Sequence, residues 1–140
     1  MIRRLRKGEH GQALVEMALV LPLLLLLLFG VIEMGRVGYA YITVSNAARE
    51  GGRMATFGQK DPIIKSSIEY AANSLDSESL VIKITTLKTD GTISELEDDR
   101  LPGQEVTVDV AYPVQLIIPL ISNVIPNPVN VHSSITMRME

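Results

Sequence analysis

The chain has 140 residues, with 13 basic and 16 acidic side chains and no cysteine. This length fits about one domain, and the lack of thiols excludes disulfides and thiolate metal sites. The charge is unevenly spread: residues 1–11 carry four basic groups and one acid, whereas residues 12–140 carry nine basic and fifteen acidic groups. The acidic body argues against nucleic-acid binding.

A long apolar run follows the basic head. Residues 17–32 contain no charge and include twelve Leu, Val, Ile or Phe. Residues 13–32 would form a helix about 30 Å long, enough to cross a membrane, and the basic head should stay cytoplasmic. A cleaved secretory signal is the alternative, but small residues should then directly follow a core of about 7–15 residues. Here Glu33 and Arg36 come next.

Glu16 is the single charged residue within this predicted span. An acid in a membrane segment costs about 2.5–3.5 kcal/mol and is usually retained for function. The apolar side chains outweigh that cost, so we expect the segment to insert together with its carboxylate. An ordinary membrane anchor, with Glu16 reaching toward the headgroups, is the alternative.

The helical pattern continues past the apolar run. Residues 33–57 lack proline and carry apolar side chains at three- and four-residue steps, which predicts one helix from about Gln12 to Phe57. Gly58 should end this helix, and Pro22 should kink it because proline removes a backbone hydrogen bond. A face of small residues predicts close packing against the domain's own sheet: Ala47, Ala48, Gly51, Gly52 and Ala55.

The remaining chain predicts a small α+β domain. Asp61-Pro62 indicates a second helix that runs to about Ser74, with Asp61 as its N-cap. Alternating apolar residues predict strands near residues 80–87, 93–96, 105–111 and 129–139. Prolines, beginning with Pro113, interrupt the apolar connection before the last strand.

The predicted fold class is therefore α+β. It combines a long N-terminal transmembrane-plus-soluble helix, a second short helix, and a small antiparallel sheet of three or four strands. The predicted organisation is a basic leader (1–11), a transmembrane part of the helix (12–32), its soluble continuation (33–57) and an extracytoplasmic α+β domain (58–140).

The sequence contains no pattern typical of catalysis or metal binding. The acidic residues Glu95, Glu97, Asp98 and Asp99 lack the ligand spacing of a calcium loop and predict a solvated loop. There is no phosphate-binding glycine loop, nucleophile elbow or catalytic triad pattern. We therefore predict no catalytic residue, no cofactor and no metal site, and a protein that is not an enzyme.

Two stretches resemble the TadE-like family, the minor pilin-like proteins of the tight-adherence (Flp) pilus system. They read GQALVEMALVLPLLLLLLFGVIEMGR (11–36) and NAAREGGRMA (46–55), and the closing SSITMRME (133–140) is similar to the family's last strand. The layout also resembles the processing site of type IV prepilins, a basic leader ending in glycine followed by an acid at the fifth mature position. The resemblance implies that a prepilin peptidase cuts between Gly11 and Gln12, which makes Glu16 that acid.

The resemblance implies a minor pilin or pseudopilin, with a function in pilus assembly and adhesion. Its implied partners are the prepilin peptidase, other pilin-like subunits and an inner-membrane assembly platform. Its implied location is the inner membrane, with a cytoplasmic N-terminus and the C-terminal domain outside, or an extracellular pilus after assembly. Gln12 departs from the phenylalanine that many type IV pilins have at the first mature position, so the resemblance to methylated pilins is weaker there.

Cleavage would place a free amine on Gln12, one helical turn from Glu16. In a helix bundle, Glu16 of one subunit can pair with the amine of a neighbour. Such a pair neutralises two charges in hydrocarbon and fixes the axial register of the helices. We therefore predict homo- or hetero-oligomers formed through the N-terminal helices. The alternative is an uncleaved single-pass membrane protein that presents a small extracytoplasmic interaction domain.

Overall fold

The structure, a computed structural model, describes residues 6–118 and 125–140, and for residues 6–10 and Asp99 it describes the backbone alone. Residues 1–5 of the predicted leader and residues 119–124 of the proline-interrupted connection lie outside this range. The elements in chain order are α1 (Arg6–Thr56), α2 (Asp61–Ala71), β1 (Val81–Leu87), β2 (Ile93–Ser94), β3 (Glu105–Val114) and β4 (Val129–Arg138). The predicted α+β class is confirmed, with four strands.

The chain divides into two compact units, Met1–Gly35 and Arg36–Glu140. The first unit contains the apolar part of α1, and the second contains the rest of α1, α2 and the sheet.

Helix α1 includes Arg6, the first residue that the structure describes, and so extends ahead of the predicted start at Gln12. The leader supplies good helix formers such as Lys7 and no proline, so nothing local stops the helix from extending. At the other end, Gly58 has a φ of +65°. Its N–H donates to the Ala55 carbonyl at 3.0 Å, and the next N–H donates to the Met54 carbonyl at 3.3 Å. These two bonds form a Schellman motif and confirm the predicted stop at Gly58.

Helix α2 differs from its prediction at both ends. It ends at Ala71, three residues before Ser74, because the Leu75 N–H turns back to the Ala72 carbonyl at 2.8 Å and the intervening Asn73 and Ser74 are weak helix formers. The prediction of Asp61 as N-cap is wrong: Asp61 is the first helical residue and Lys60 holds the cap position.

The four strands form one antiparallel sheet in the order β2-β1-β3-β4. Ile84 of β1 lies opposite Val108 of β3, which in turn lies opposite Ile135 of β4. This row faces the helices, and the alternate residues face outward. On that outer face the hydroxyls of Thr107 and Thr136 are 2.8 Å apart. One face of the sheet is therefore apolar and the other polar, as expected for an antiparallel sheet covered on one side.

Strand β3 passes through Pro113, where the sequence predicted an interruption. Pairing with β1 ends at Ala111, whereas pairing with β4 continues to Val114. Pro113 lies opposite Asn130 of β4, so it has a strand neighbour on one side only. Proline within a sheet is found mainly on edge strands, and Pro113 lies where β3 has no β1 neighbour.

The core of the second unit combines α1, α2 and the sheet. Its fully buried members include Val44, Ile64, Ile68, Val106 and Val108. Every element except β2 contributes a buried apolar residue.

Candidate processing and assembly segment

The apolar part of α1 is exposed along its length. Every residue from Gly11 to Phe29 is exposed in the isolated chain, and the helix is long and apolar enough to cross a membrane. A helix that is apolar all round needs a lipid or protein environment. Between Gly11 and Ile32, Glu16 is the only acidic or basic residue.

Gly11 and Gln12 both lie inside α1, not ahead of it. A Cβ added at Gly11 would meet no atom within 4 Å, so packing within the chain does not explain a glycine at this position. Glycine is nonetheless about 1 kcal/mol less favourable than alanine in a helix interior. The Gly11–Gln12 peptide is therefore a weak point of the helix, and among the described residues no atom outside the helix backbone lies within 4 Å of the Cβ position of Gly11.

Glu16 lies four residues after Gln12, so their side chains lie on the same side of the helix. Glu16 is exposed, and it lines a shallow surface depression together with Ala13, Met17, Val20, Leu21 and Leu24. The small side chain of Ala13 leaves space beside the carboxylate. Pro22 lies inside the continuous helix, and the kink proposed there stays a prediction.

The small residues in the second half of α1 lie against the core. Ala47, Ala48, Gly51, Gly52 and Ala55 are all buried. A Cβ on Gly51 would lie 2.6 Å from Ile68 Cδ1 on α2 and 3.2 Å from Val108 Cγ1 on β3. A Cβ on Gly52 would lie 3.2 Å from Ile135 Cγ2 on β4. The two glycines therefore allow α1 to approach α2 and the sheet closely.

The same stretch presents charged residues on the opposite side of α1, which the sequence reading did not single out. Arg53 donates two hydrogen bonds to Glu50, at 3.1 and 2.6 Å, and these bonds hold the pKa of the Glu50 carboxyl below its usual range. Glu50 also lines a surface groove between α1 and α2, with Asn46, Met54 and Tyr70. In the sequence, this exposed face is indicated by the polar residues that lie between the small residues of NAAREGGRMA.

The acidic segment is only partly the solvated loop that the sequence predicted. Glu95 and Asp98 are exposed, but Glu97 accepts a hydrogen bond from the Asp61 N–H at 2.9 Å and so satisfies a free donor at the start of α2. The Asp61 carboxylate forms an ion pair with Arg100, whose side chain is only 4% exposed. The segment therefore anchors the start of α2. Within the described residues, no group of three or more His, Cys, Asp or Glu side chains is placed to hold a metal ion.

Comparison with known proteins gives one match. The search of curated proteins and the search of solved structures each found no match. The family described as TadE-like protein matches residues 11–53, the part of α1 that holds Gly11, Gln12, Glu16, Pro22 and most of the small-residue face. This family is associated with Tad pili. Residues 11–53 are thus similar to the TadE-like family, which confirms the predicted resemblance over this part of the chain.

Proposed function

We propose that this protein is a minor pilin or pseudopilin of a tight-adherence pilus or a related secretion system. In this proposal a prepilin peptidase cuts between Gly11 and Gln12, and the mature subunit then functions in pilus assembly and adhesion. One observation supports the proposal more strongly than the other observations do. A single exposed carboxylate, Glu16, lies one helical turn from the residue that cleavage would turn into a positive terminus.

The proposed cut requires the helix to open locally. A peptidase must bring its catalytic groups to the peptide bond, whose carbonyl in α1 is engaged in the helical hydrogen-bond ladder. Gly11 lowers the cost of unwinding because it favours the helix least among ordinary residues. It also leaves the backbone uncovered, since no described atom outside the helix backbone lies within 4 Å of its Cβ position. Both properties support a role for Gly11 in recognition by the peptidase.

After the cut, the new amine would lie at the N-terminus of the helix. The helix dipole is positive at that end, so a second positive charge there is unfavourable unless an anion compensates it. Glu16 provides that anion, either within the subunit or for a neighbour. The depression beside Ala13 leaves room next to the carboxylate. A pair between subunits would be lost if one helix slipped along another, because both charges would then be unpaired in hydrocarbon. We therefore assign Glu16 to subunit registration.

The proposed partners follow from this arrangement. They are the prepilin peptidase, other pilin-like subunits that contact the exposed apolar face of α1, and an inner-membrane assembly platform. The basic residues ahead of Gly11 favour a cytoplasmic N-terminus, which would place the α+β domain on the outer side of the membrane.

Cleavage can be tested by co-expressing the full chain with a prepilin peptidase. We expect Gly11→Leu to abolish the loss of the leader, because a branched side chain would block access to the backbone. Gly8→Leu is the matched control, since it places the same side chain three residues upstream and should leave cleavage intact. Equal processing of both variants would contradict the assignment of Gly11.

The alternative is an uncleaved single-pass membrane protein with a small outer domain. It shares the exposed apolar helix and gives Glu16 no partner beyond the lipid headgroups. The two functions differ in the effect of Glu16→Gln on association. A registering carboxylate requires its charge, whereas a carboxylate that only reaches the headgroups can be replaced by an amide without changing which subunits bind.

A further inference from the structure

We propose that β4 binds an extended segment of a partner protein along its free edge. The segment would run antiparallel to β4, carry an acidic residue opposite Arg138 and have apolar residues at alternate positions. The inference goes beyond the proposed function, because it depends on neither cleavage nor a membrane span. It assigns a protein-binding surface to the α+β domain.

The backbone of β4 has hydrogen-bonding groups that point away from β3. The Met139 N–H donates to the Gln104 carbonyl at 2.9 Å, in register with the pairing of β3 and β4. Because backbone groups alternate between the two sides of a strand, the odd-numbered residues of β4 bond to β3 and the even-numbered ones point outward. The Glu140 N–H follows this alternation and donates to the Thr56 carbonyl on α1 at 3.1 Å. The outward groups to which no described residue bonds belong to Asn130, His132, Ser134, Thr136 and Arg138.

The two edges of the sheet differ in their protection against further pairing. At the opposite edge, β2 has only two residues, and Lys83 of β1 forms an ion pair with Glu95 at 2.7 Å. Short strands and charged side chains are common means by which proteins block an exposed edge. β4 instead has ten residues, pairs with β3 without a bulge, and contains no proline, lysine or acid. It therefore resembles the edges to which an extended peptide adds as a further strand.

The side chains of β4 that face the helices are only partly covered. Val106 and Val108 of β3 are fully buried, whereas Met137 and Ile135, which lie opposite them on β4, are half-buried. A strand added at the free edge would place its own inward side chains beside these two residues. Apolar residues at alternate positions of the partner would therefore remove this surface from water.

Charge determines which kind of segment fits the edge. Arg138 is the only Asp, Glu, Lys or Arg in β4. Its Nε donates to the Gly103 carbonyl at 2.8 Å, and within the described part of the chain no carboxylate forms an ion pair with it. An acid opposite Arg138 would supply that partner, because opposite charges stabilise adjacent strands. The β4 strand of a second copy contains no acid, so the edge favours a segment of different sequence.

Strand β3 supplies a probe with this chemistry. Residues 105–112 read EVTVDVAY, and within the fold Glu105 lies opposite Arg138 on the other side of β4. A capped, fluorescein-labelled peptide of this sequence is titrated into the full chain in detergent micelles, and fluorescence anisotropy measures its affinity. The control peptide has lysine in place of both acids. Amide hydrogen exchange of the complex identifies the β4 amides that gain protection.

Variants of the full chain separate edge pairing from other binding. Ser134→Pro removes an outward N–H, so the bonds of β4 to β3 should remain, and the affinity for the peptide should fall about tenfold. Ser134→Ala keeps this N–H and should bind the peptide as the wild type does. Arg138→Glu should weaken binding of the acidic peptide about fivefold and strengthen binding of the lysine peptide. It provides the test if thermal unfolding shows that Ser134→Pro does not fold.

We expect the peptide to slow exchange of the even-numbered β4 amides and to leave the odd-numbered ones unchanged. No binding, equal affinity for the two peptides, or equal affinity of folded Ser134→Pro and Ser134→Ala would overturn the proposal. Faster exchange at Val106 and Val108 would mean that the peptide displaces β3, and would also overturn it. Protection of the even-numbered amides by high protein concentration alone would show that second copies cover the edge, which contradicts the proposed partner. Cleavage after Gly11 is unaffected by any of these results.

Discussion

The Cβ that Gly51 lacks would lie 2.6 Å from Ile68 Cδ1 and equally close to Ile68 Cγ1. Ile68 is fully buried, so its side chain has little room to move away. This contact explains a glycine in the middle of a long helix, where alanine would otherwise be favoured.

We expect Gly51→Ala to destabilise the domain by about 1–2 kcal/mol, because overpacking outweighs the gain in helix propensity. Gly38→Ala is the matched control. Gly38 is on the same helix with no atom within 4 Å of its Cβ position, and alanine there should stabilise by up to about 1 kcal/mol. Urea unfolding of the full chain in detergent micelles measures both. Equal effects of the two substitutions would show that Gly51 is not a contact point.

Arg100→Ala should be strongly destabilising. It leaves the Asp61 carboxylate, 25% exposed, without its cation at the start of α2. Removing one member of a largely buried ion pair typically costs about 3 kcal/mol. Arg53→Ala is the control, because the Arg53–Glu50 pair is exposed and should contribute less than about 1 kcal/mol. Thermal unfolding of both variants checks the difference, and similar melting temperatures would contradict an anchoring role for Arg100.

Asn127→Ala should release the loop that follows β3. The substitution removes both hydrogen bonds to the Leu116 backbone and should cost about 1–2 kcal/mol, since Leu116 is buried and its N–H would lose its partner. Amide hydrogen exchange reports this locally: the Leu116 amide should exchange faster, and β-sheet amides should not. Asn73→Ala, at an exposed position after α2, should leave the Leu116 amide unchanged. Protection of Leu116 in the Asn127 variant would show that the two bonds are not what holds the loop.

Glu16→Gln should weaken association between subunits without unfolding the α+β domain. Loss of one member of a desolvated charge pair costs about 2 kcal/mol or more, which is roughly a 30-fold loss in affinity. Glu16→Asp keeps the charge on a shorter side chain and should retain part of the association. Co-purification of two differently tagged copies, with a candidate sister pilin as a parallel partner, measures the effect. Unchanged recovery of the Gln variant would favour the ordinary membrane anchor.

Periodicity in the sequence was sufficient to predict α1, the strands and the α+β class, because these elements depend on local patterns of apolar residues. Gly58 was also predictable as a helix end, since its signal lies within a few residues. The start of α1 was not predictable, because the leader contains no residue pattern that would end a helix.

Contacts between distant residues account for what the sequence did not predict. Glu97 accepts a hydrogen bond from the Asp61 N–H across 36 residues of sequence, and Arg100 forms an ion pair with the Asp61 carboxylate. Because neither contact is local, the local pattern led us to predict Asp61 as the N-cap and the acidic run as a solvated loop. Pro113 stays within β3 only because β1 ends before it, which no local pattern reveals. In the candidate assembly segment, by contrast, Glu16 was visible because one charge in an apolar run stands out without knowledge of the fold.

In the proposed function, cleavage creates the positive terminus that pairs with Glu16. The most direct test is the intact mass of the wild-type chain purified from cells that contain the peptidase. We expect a mature chain that begins at Gln12 and lacks the 11 leader residues. A chain that still begins at Met1 in such cells would contradict it.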